Sequence, residues 1–186
     1  MMSLKDTREN LCFSAALALL LLAWGGSAAE GPAAVTVGEF TVKPPADWEA
    51  VAGRSPMRAA QFKVVKEGAA AEVIFFYFGP GGAGGVQANV DRWFGQFQEP
   101  KDQLKAKTEE IKAGERKATF VQAEGTYLSG PPGGQKTAEP NSMMLAAILE
   151  GKTQGPVFIK MTGPKGVVEE ARQPFRKMVE EALKQP

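Results

Sequence analysis

The sequence predicts an α+β fold, a three-layer α/β/α sandwich built on a mostly antiparallel sheet with one helix on each face. Three observations predict it. Strand-like runs are joined by short turn signals, which makes hairpins rather than crossovers. One run, EVIFFYF at 72–78, is apolar on both faces and needs cover on both sides. Two helical stretches, 86–98 and 166–184, each carry one apolar stripe able to supply such cover.

The first 29 residues read as an export signal. Lys5 and Arg8 precede the apolar run Leu11–Trp24, and Ser27-Ala28-Ala29 forms an A-x-A-like site. The run has about 14 residues, short of the ~20 that a spanning helix needs, which disfavours the rival reading of a retained anchor. Cys12 lies too early in the run to be a lipoprotein cysteine at the cleavage boundary. Cleavage is expected after Ala29, leaving 30–186 as one α+β domain with a periplasmic or secreted location and no stable membrane span.

The elements of that domain follow in order. Val35, Val37 and Phe40 sit among polar neighbours at 35–42, a strand or hairpin that Pro44-Pro45 ends. Trp48 follows in a PPADW turn. A strand at 59–66 turns at Glu67-Gly68 into the strand at 72–78, where Val73, Phe75 and Tyr77 share one face and Ile74, Phe76 and Phe78 the other. The strand is therefore expected to be central. A glycine-rich loop, 79–85, opens the first helix, 86–98, whose stripe is Val86, Val90, Trp93, Phe94 and Phe97; Pro100 closes it. Strands at 107–113 and 116–127 form a hairpin at Gly114-Glu115. A Pro/Gly loop spans 129–140. A second hairpin joins 142–149 to 156–162 around GKTQG. The last helical stretch carries Val167, Val168, Ala171, Phe175, Met178, Val179 and Leu183 on one stripe, and Pro174 is expected to kink it or start a second helix.

Composition excludes much chemistry. The chain has no histidine, and its single cysteine, Cys12, belongs to the leader. The working domain thus lacks thiol, imidazole and disulfide, and with them the commonest nucleophile–base pairs and transition-metal ligand sets. Ser55, Ser129 and Ser142 lie in neither G-x-S-x-G nor S-x-x-K contexts. Asp47, Asp91 and Asp102 form no calcium-loop pattern. No catalytic residue, metal site or cofactor is expected. The net charge is +1, and the leader is itself balanced, so no basic face for nucleic acid is expected.

Two features invite a functional reading. Gly79, Gly81 and Gly84 match G-x-G-x-x-G between a strand and a helix. No parallel strand with a ribose-binding acid follows, and Gly85-Val86 stands where a P-loop has Lys-Ser/Thr, so the loop reads as a surface turn over a phosphate cradle. The glutamate doublets 109–110, 169–170 and 180–181 place neighbours on diverging sides of a strand or helix and read as solvated faces over a hydrolytic pair. Trp48, Arg92, Trp93 and Tyr127 are the candidate ligand-binding residues, with core or rim anchors as their plainer role.

Trp48 after a strand, Asn89…Arg92-Trp93…Gln96-Phe97 in the first helix, Gly125-Thr126-Tyr127 ending a strand, and Phe158-x-Lys160-x-Thr162-Gly163-Pro164 before the last helix together resemble a family of uncharacterised bacterial exported proteins. The element order also resembles the PsbP-like fold of photosystem II extrinsic subunits. That resemblance implies an α/β/α sandwich whose relatives bind partners or assist assembly, and it transfers no site residue. The expected function is a non-enzymatic exported domain that binds a protein or cell-envelope partner. The alternative is a small-ligand binder or carboxylate-based hydrolase with a pocket between sheet and first helix. Intact-mass measurement of the exported protein should find a chain beginning at Glu30; a chain that keeps residues 1–29 would mean an anchor.

Overall fold

The computed structural model describes residues 31–53, 55, 57–131 and 133–185. The expected leader, 1–29, lies outside them. The elements are β1 (Val35–Val37), β2 (Phe40–Val42), β3 (Glu49–Ala50), β4 (Arg58–Lys66), β5 (Ala69–Tyr77), α1 (Val86–Phe94), β6 (Lys105–Ala113), β7 (Arg116–Ser129), β8 (Thr137–Glu150), β9 (Val157–Pro164) and α2 (Lys165–Lys184). Seven strands form one sheet in the order β3-β4-β5-β9-β8-β7-β6, every neighbouring pair antiparallel. Helices lie on opposite faces, giving the α+β three-layer sandwich. Among the described residues no helix is long and apolar enough to cross a membrane.

The hairpin at 35–42 does not join this sheet. β1 and β2 form their own two-stranded ribbon, packed with α2 over the same face. Val37, Phe40 and Val42 point into the core there, and three-residue strands have too few ladder bonds to compete for an edge. Glu39, at the ribbon's turn, accepts the Thr153 N–H at 3.1 Å and so fastens the ribbon to the β8–β9 loop.

The core is divided by the sheet. On the α2 face, Phe62, Val73, Phe75, Phe120, Leu145, Ile159 and Met161 pack beneath Val168, Phe175, Val179 and Leu183. Trp48 belongs to this layer: its ring centroid lies 6.0 Å from Phe62 and 6.3 Å from Phe175. On the α1 face, Val90, Trp93, Phe97 and Leu104 cover Val121, Met144, Ala146, Ile148 and Phe158.

β5 is an interior strand, but β8 is the one most thoroughly buried. Ser142 to Leu149 are buried without a break, whereas Phe76 and Tyr77 are half-buried and Phe78 is exposed. The reason is reach, since the short α1 stops over β7, β8 and β9. The first helix is also shorter than its apolar stripe. α1 ends at Phe94 with Gly95 as its C-cap, and Gln96–Gln98 turn to run beside β7, with Gln98 N–H donating to Thr126 O and Leu128 N–H to Gln96 O. Phe97 thus stays in the stripe without being helical.

Two other expectations change. The Pro/Gly segment 129–140 is mostly hairpin: β7 runs to Ser129, β8 starts at Thr137, and Leu128↔Ala138 is among the pairs between them. Of the two expectations for Pro174, the second helix is ruled out: α2 runs through it, because Ala171, Phe175, Met178 and Val179 on both sides of it are buried against the sheet. Packing outweighs the hydrogen bond it removes.

Phe175 is fully buried between Trp48 and Phe120, the latter at 5.8 Å. Phe175→Ala should cost about 3–5 kcal/mol in urea unfolding, with a loss of the near-ultraviolet signal of Trp48. A cost below about 1 kcal/mol would show that the α2 layer is not the principal core.

Candidate functional site

The face that carries α1 is only part-covered, and its open part gathers the polar chemistry. Gln61, Lys63 and Val65 of β4 and Glu72 of β5 look out on that side, beyond the reach of the helix. Register places them in rows: Gln61 beside Ile74 beside Lys160, and Lys63 beside Glu72 beside Thr162. Arg58 Nη1 donates to Gln61 Oε1 at 2.9 Å and to Glu72 Oε1 at 3.2 Å, and Gln61 Nε2 donates to the same Glu72 oxygen at 2.6 Å. Gln61 is buried by this arrangement while Glu72 stays half-exposed.

Next to this triad runs an aromatic ladder. Trp93 meets Phe158 edge-on at 6.3 Å, Phe158 meets Phe78 at 5.9 Å, and Phe78 stacks on Phe76 at 6.2 Å with ring planes 5° apart. The ladder leads from a buried tryptophan to a phenylalanine that is 41% exposed. Arg58 pairs with Phe76, so Met57, also exposed, lies at the same end of the β4–β5 pair as Phe78.

The least ordinary group is Lys160. It interrupts the apolar run of β9 and is 8% exposed. Its Nζ donates to Gln96 Oε1 at 2.9 Å and to Tyr127 Oη at 3.2 Å, and Tyr127 Oη donates to Gln96 Oε1 at 3.2 Å. No carboxylate lies within ion-pair distance of it among the described residues. Burial pushes the Lys160 ammonium down to about 8; the Glu72 charge opposes that shift and Arg58 adds to it. Burial likewise raises the Tyr127 hydroxyl, with help from Glu139 and Glu72.

This triangle sits where the segment after α1 docks on the sheet. Phe97 and Tyr127 form a β-bridge and an edge-to-face ring pair at 5.5 Å. Just before them β7 bulges between Gly125 and Tyr127. Both Glu99 oxygens accept the Thr126 N–H at 2.9 Å, a donor that the bulge takes out of the ladder. That bond holds the Glu99 carboxyl below its usual range. A Cβ at Gly125 would push the Glu99 carboxylate off its bond to Thr126, so glycine is what lets the two meet.

The four residues singled out from sequence do not share a pocket. Trp48 is on the opposite face, in the α2 core. Trp93 is buried under α1, while Arg92 is exposed and donates to Asn89 Oδ1 at 2.9 Å. Tyr127 alone joins the polar cluster. The glutamate doublets are split as alternation requires: Glu109 meets Arg176, and Glu110 meets Lys112 and Lys117 on the other side. The glycine loop has no parallel strand beside it. Gly79, Gly81 and Gly84 adopt positive φ, and a Cβ at Gly82 would strike the Phe78 carbonyl, both marks of a tight turn. Sequence reading quoted Gln96 and Lys160 only within a resemblance and gave no site role to them or to Arg58, Gln61 and Glu72. A lysine inside VFIKM was a visible signal, since it breaks a continuous apolar strand; the triad depends on a register that no local pattern reveals.

A cleft of about 570 Å³ lies away from this site, between the β6–β7 turn and the end of α2, and one of about 310 Å³ lies beside it at the Gly125 bulge. Among the described residues no group of three or more aspartates, glutamates, cysteines or histidines is placed to hold a metal.

No family model matches the chain, and no curated protein matches it significantly. Among solved structures it is similar to the solution structure of cyanobacterial PsbP (CyanoP) from Synechocystis sp. PCC 6803, with a TM-score of 0.46 and 13% identity over 85% of this chain and 95% of that one.

Lys160 makes a pH prediction. Its folded value lies below the ordinary 10.5, so between about pH 8 and 10.5 the unfolded chain binds the extra proton and stability rises with pH. The stability of the wild type minus that of Lys160→Met should climb across this window, by about 3 kcal/mol at most. Below pH 8 the methionine variant should be as stable as the wild type or more so. A flat difference profile in urea titrations would mean that Lys160 is solvated.

Proposed function

We propose that this domain is non-enzymatic, acts outside the cytoplasm and binds a protein partner through the open corner of the α1 face. The observation that carries the reading is Phe78, 41% exposed yet held in a ladder of rings. Single exposed apolar side chains are ordinary on protein surfaces. Here Met57 and Phe78 lie at one end of one strand pair, beside Arg58, and phenylalanine, methionine and arginine are the types enriched in protein interfaces. A ring already fixed by Phe76 and Phe158 loses little freedom when a partner covers it, which favours binding. The Arg58–Gln61–Glu72 triad supplies a satisfied polar rim to the same corner.

The remaining chemistry fits a binding role. The glutamates of the 109–110 and 180–181 doublets and Glu169 are each engaged by a lysine or arginine, and Lys160 hydrogen-bonds to neutral oxygens in the interior. The balanced charge supports a partner of mixed polarity over a polyanion. The leader supports the exported location.

Site-specific photocrosslinking tests the reading. Benzoylphenylalanine at position 78 of the full exported chain should yield a discrete protein adduct that the same probe at Lys177, on the outer side of α2, does not. Phe78→Ala should weaken capture of that protein at least tenfold with thermal stability nearly unchanged. Equal adducts from both positions, or none, would overturn the proposal.

A further inference from the structure

An open sheet ends in two edges, and the two edges of this one differ. At the first, β3 offers only two residues, and just past it Val51 N–H donates to Gln61 O of β4. At the second, β6 runs for nine residues, pairs with β7 from Lys105↔Glu124 to Ala113↔Arg116 without a bulge, and contains no proline. Among the described residues no strand lies along its outer row of N–H and C=O groups. Such a row is a template for another strand. Short length, proline and bulges are the usual guards, and β6 has none of them. It does carry lysines, which also guard edges, but it mixes them with acids. Alternation puts Lys105, Lys107 and Glu109 on the α2 side with Ile111, and Thr108, Glu110 and Lys112 on the other.

That mixture is selective. When two copies of one strand pair antiparallel, a two-fold axis sets one residue opposite itself and exchanges the residues on either side of it. With the axis at Lys107 or at Glu109, like charges face each other at the centre. With it at Ala106, Lys105 faces Lys107; with it at Glu110, two glutamates meet. With it at Thr108, Lys107 faces Glu109 twice, Lys105 faces Ile111, Ala106 faces Glu110, and no like charges are opposed. Charges match again with the axis at Ile111, but there only residues 109–113 of β6 remain to pair. We propose that β6 is a dimerisation edge, joining two copies of this chain into one continuous antiparallel sheet about a two-fold axis at Thr108. Both central residues are open to a partner, since Thr108 and Lys107 are exposed, and the Glu109 carboxylate is already held in place by Arg176 at 2.7 Å. The charges thus reject the neighbouring registers and admit one.

Sedimentation equilibrium of the full exported chain should show a reversible monomer–dimer association. Lys107→Glu, which opposes Glu109 with a second carboxylate on both sides of the axis, should weaken it about tenfold. Because Lys107 is largely exposed, the same change should leave the urea midpoint of the monomer in place. Register is read by cross-linking. With Cys12→Ser the chain has no cysteine, so a single introduced one reports on its own copy. Directly opposed residues have Cα atoms about 4.5–5.5 Å apart, within the span of a disulfide. Thr108→Cys should therefore form a disulfide-linked dimer under mild oxidation. Lys105→Cys, on the same exposed edge, should not, because its two copies would lie about 20 Å apart along the strands. A chain that stays monomeric at about 1 mM, a Lys107→Glu variant that associates like the wild type, or equal linking through positions 105 and 108 would overturn the proposal. β9, β8 and β7 separate β6 from β5, the strand that leads to Phe78, so none of these results bears on the docking corner.

Discussion

The structure turns on β8, a strand that is buried on both faces from Met143 to Leu149. A strand of that kind cannot exist without two covers, and the two covers are unequal. Seven strands at about 4.8 Å spacing put roughly 29 Å between the outer strands. α2, with 20 residues, is about 30 Å long, and the β1–β2 ribbon and Trp48 extend the layer it forms. α1, with nine residues, is only about 13–14 Å long and takes β7, β8 and β9. The outer part of the sheet on that side must face water, and its side chains change character accordingly: Ala146 and Ile148 under the helix give way to Gln61, Lys63 and Glu72 beyond it.

Lys160 marks the line between these two territories. It lies in register between Ile74 on the outer side and Ala146 on the covered side. A methionine there would serve packing as well, and burying an ammonium with no carboxylate partner works against stability. What the lysine supplies is a fixed point. By donating to both Gln96 and Tyr127 it ties the segment after α1 to the sheet, at the place where β7 has left β6 and adopted Gln96–Gln98 as its neighbour. Glu99 performs the same service one step later by capping the free N–H of Thr126. The short helix is therefore held by polar anchors at its exit as well as by the packing of Val86, Val90, Trp93 and Phe94.

Much of this was readable from local pattern. Alternation located the strands, the i, i+3, i+4 stripes located both helices, and turn residues gave antiparallel order. The errors share a cause, which is that local pattern carries no information on distance between elements. EVIFFYF is apolar on both faces, so it promised the central strand, but its far end emerges beyond α1 and its last ring faces solvent. SMMLAAIL, less conspicuous because of its small alanines, is the strand with the longest buried run. Trp48, Arg92, Trp93 and Tyr127 looked like one set because aromatic and charged residues converge in pockets; the sheet separates the first from the rest. The loop at 129–140 was rich in proline and glycine, yet tertiary pairing of β7 with β8 extended the ladder to Ser129 and Thr137, with Pro140 tolerated on the outward edge.

The lack of histidine, and of cysteine after Cys12, gains meaning from where the remaining ionisable groups are used. A protein can do acid–base chemistry with carboxylates and lysines alone, provided some are left unpaired in a shared, water-poor cleft. Here the acids of the doublets are divided between opposite sides of strand and helix, all but Glu170 meet a basic partner, and the one lysine buried among the described residues, Lys160, faces an amide and a phenol across 2.9 and 3.2 Å. The group that does reach the surface beyond the covered region is of another kind, a phenyl ring ordered by Phe76 and Phe158 at the corner of an antiparallel sheet, so that whatever meets it need not disturb the core that positions it.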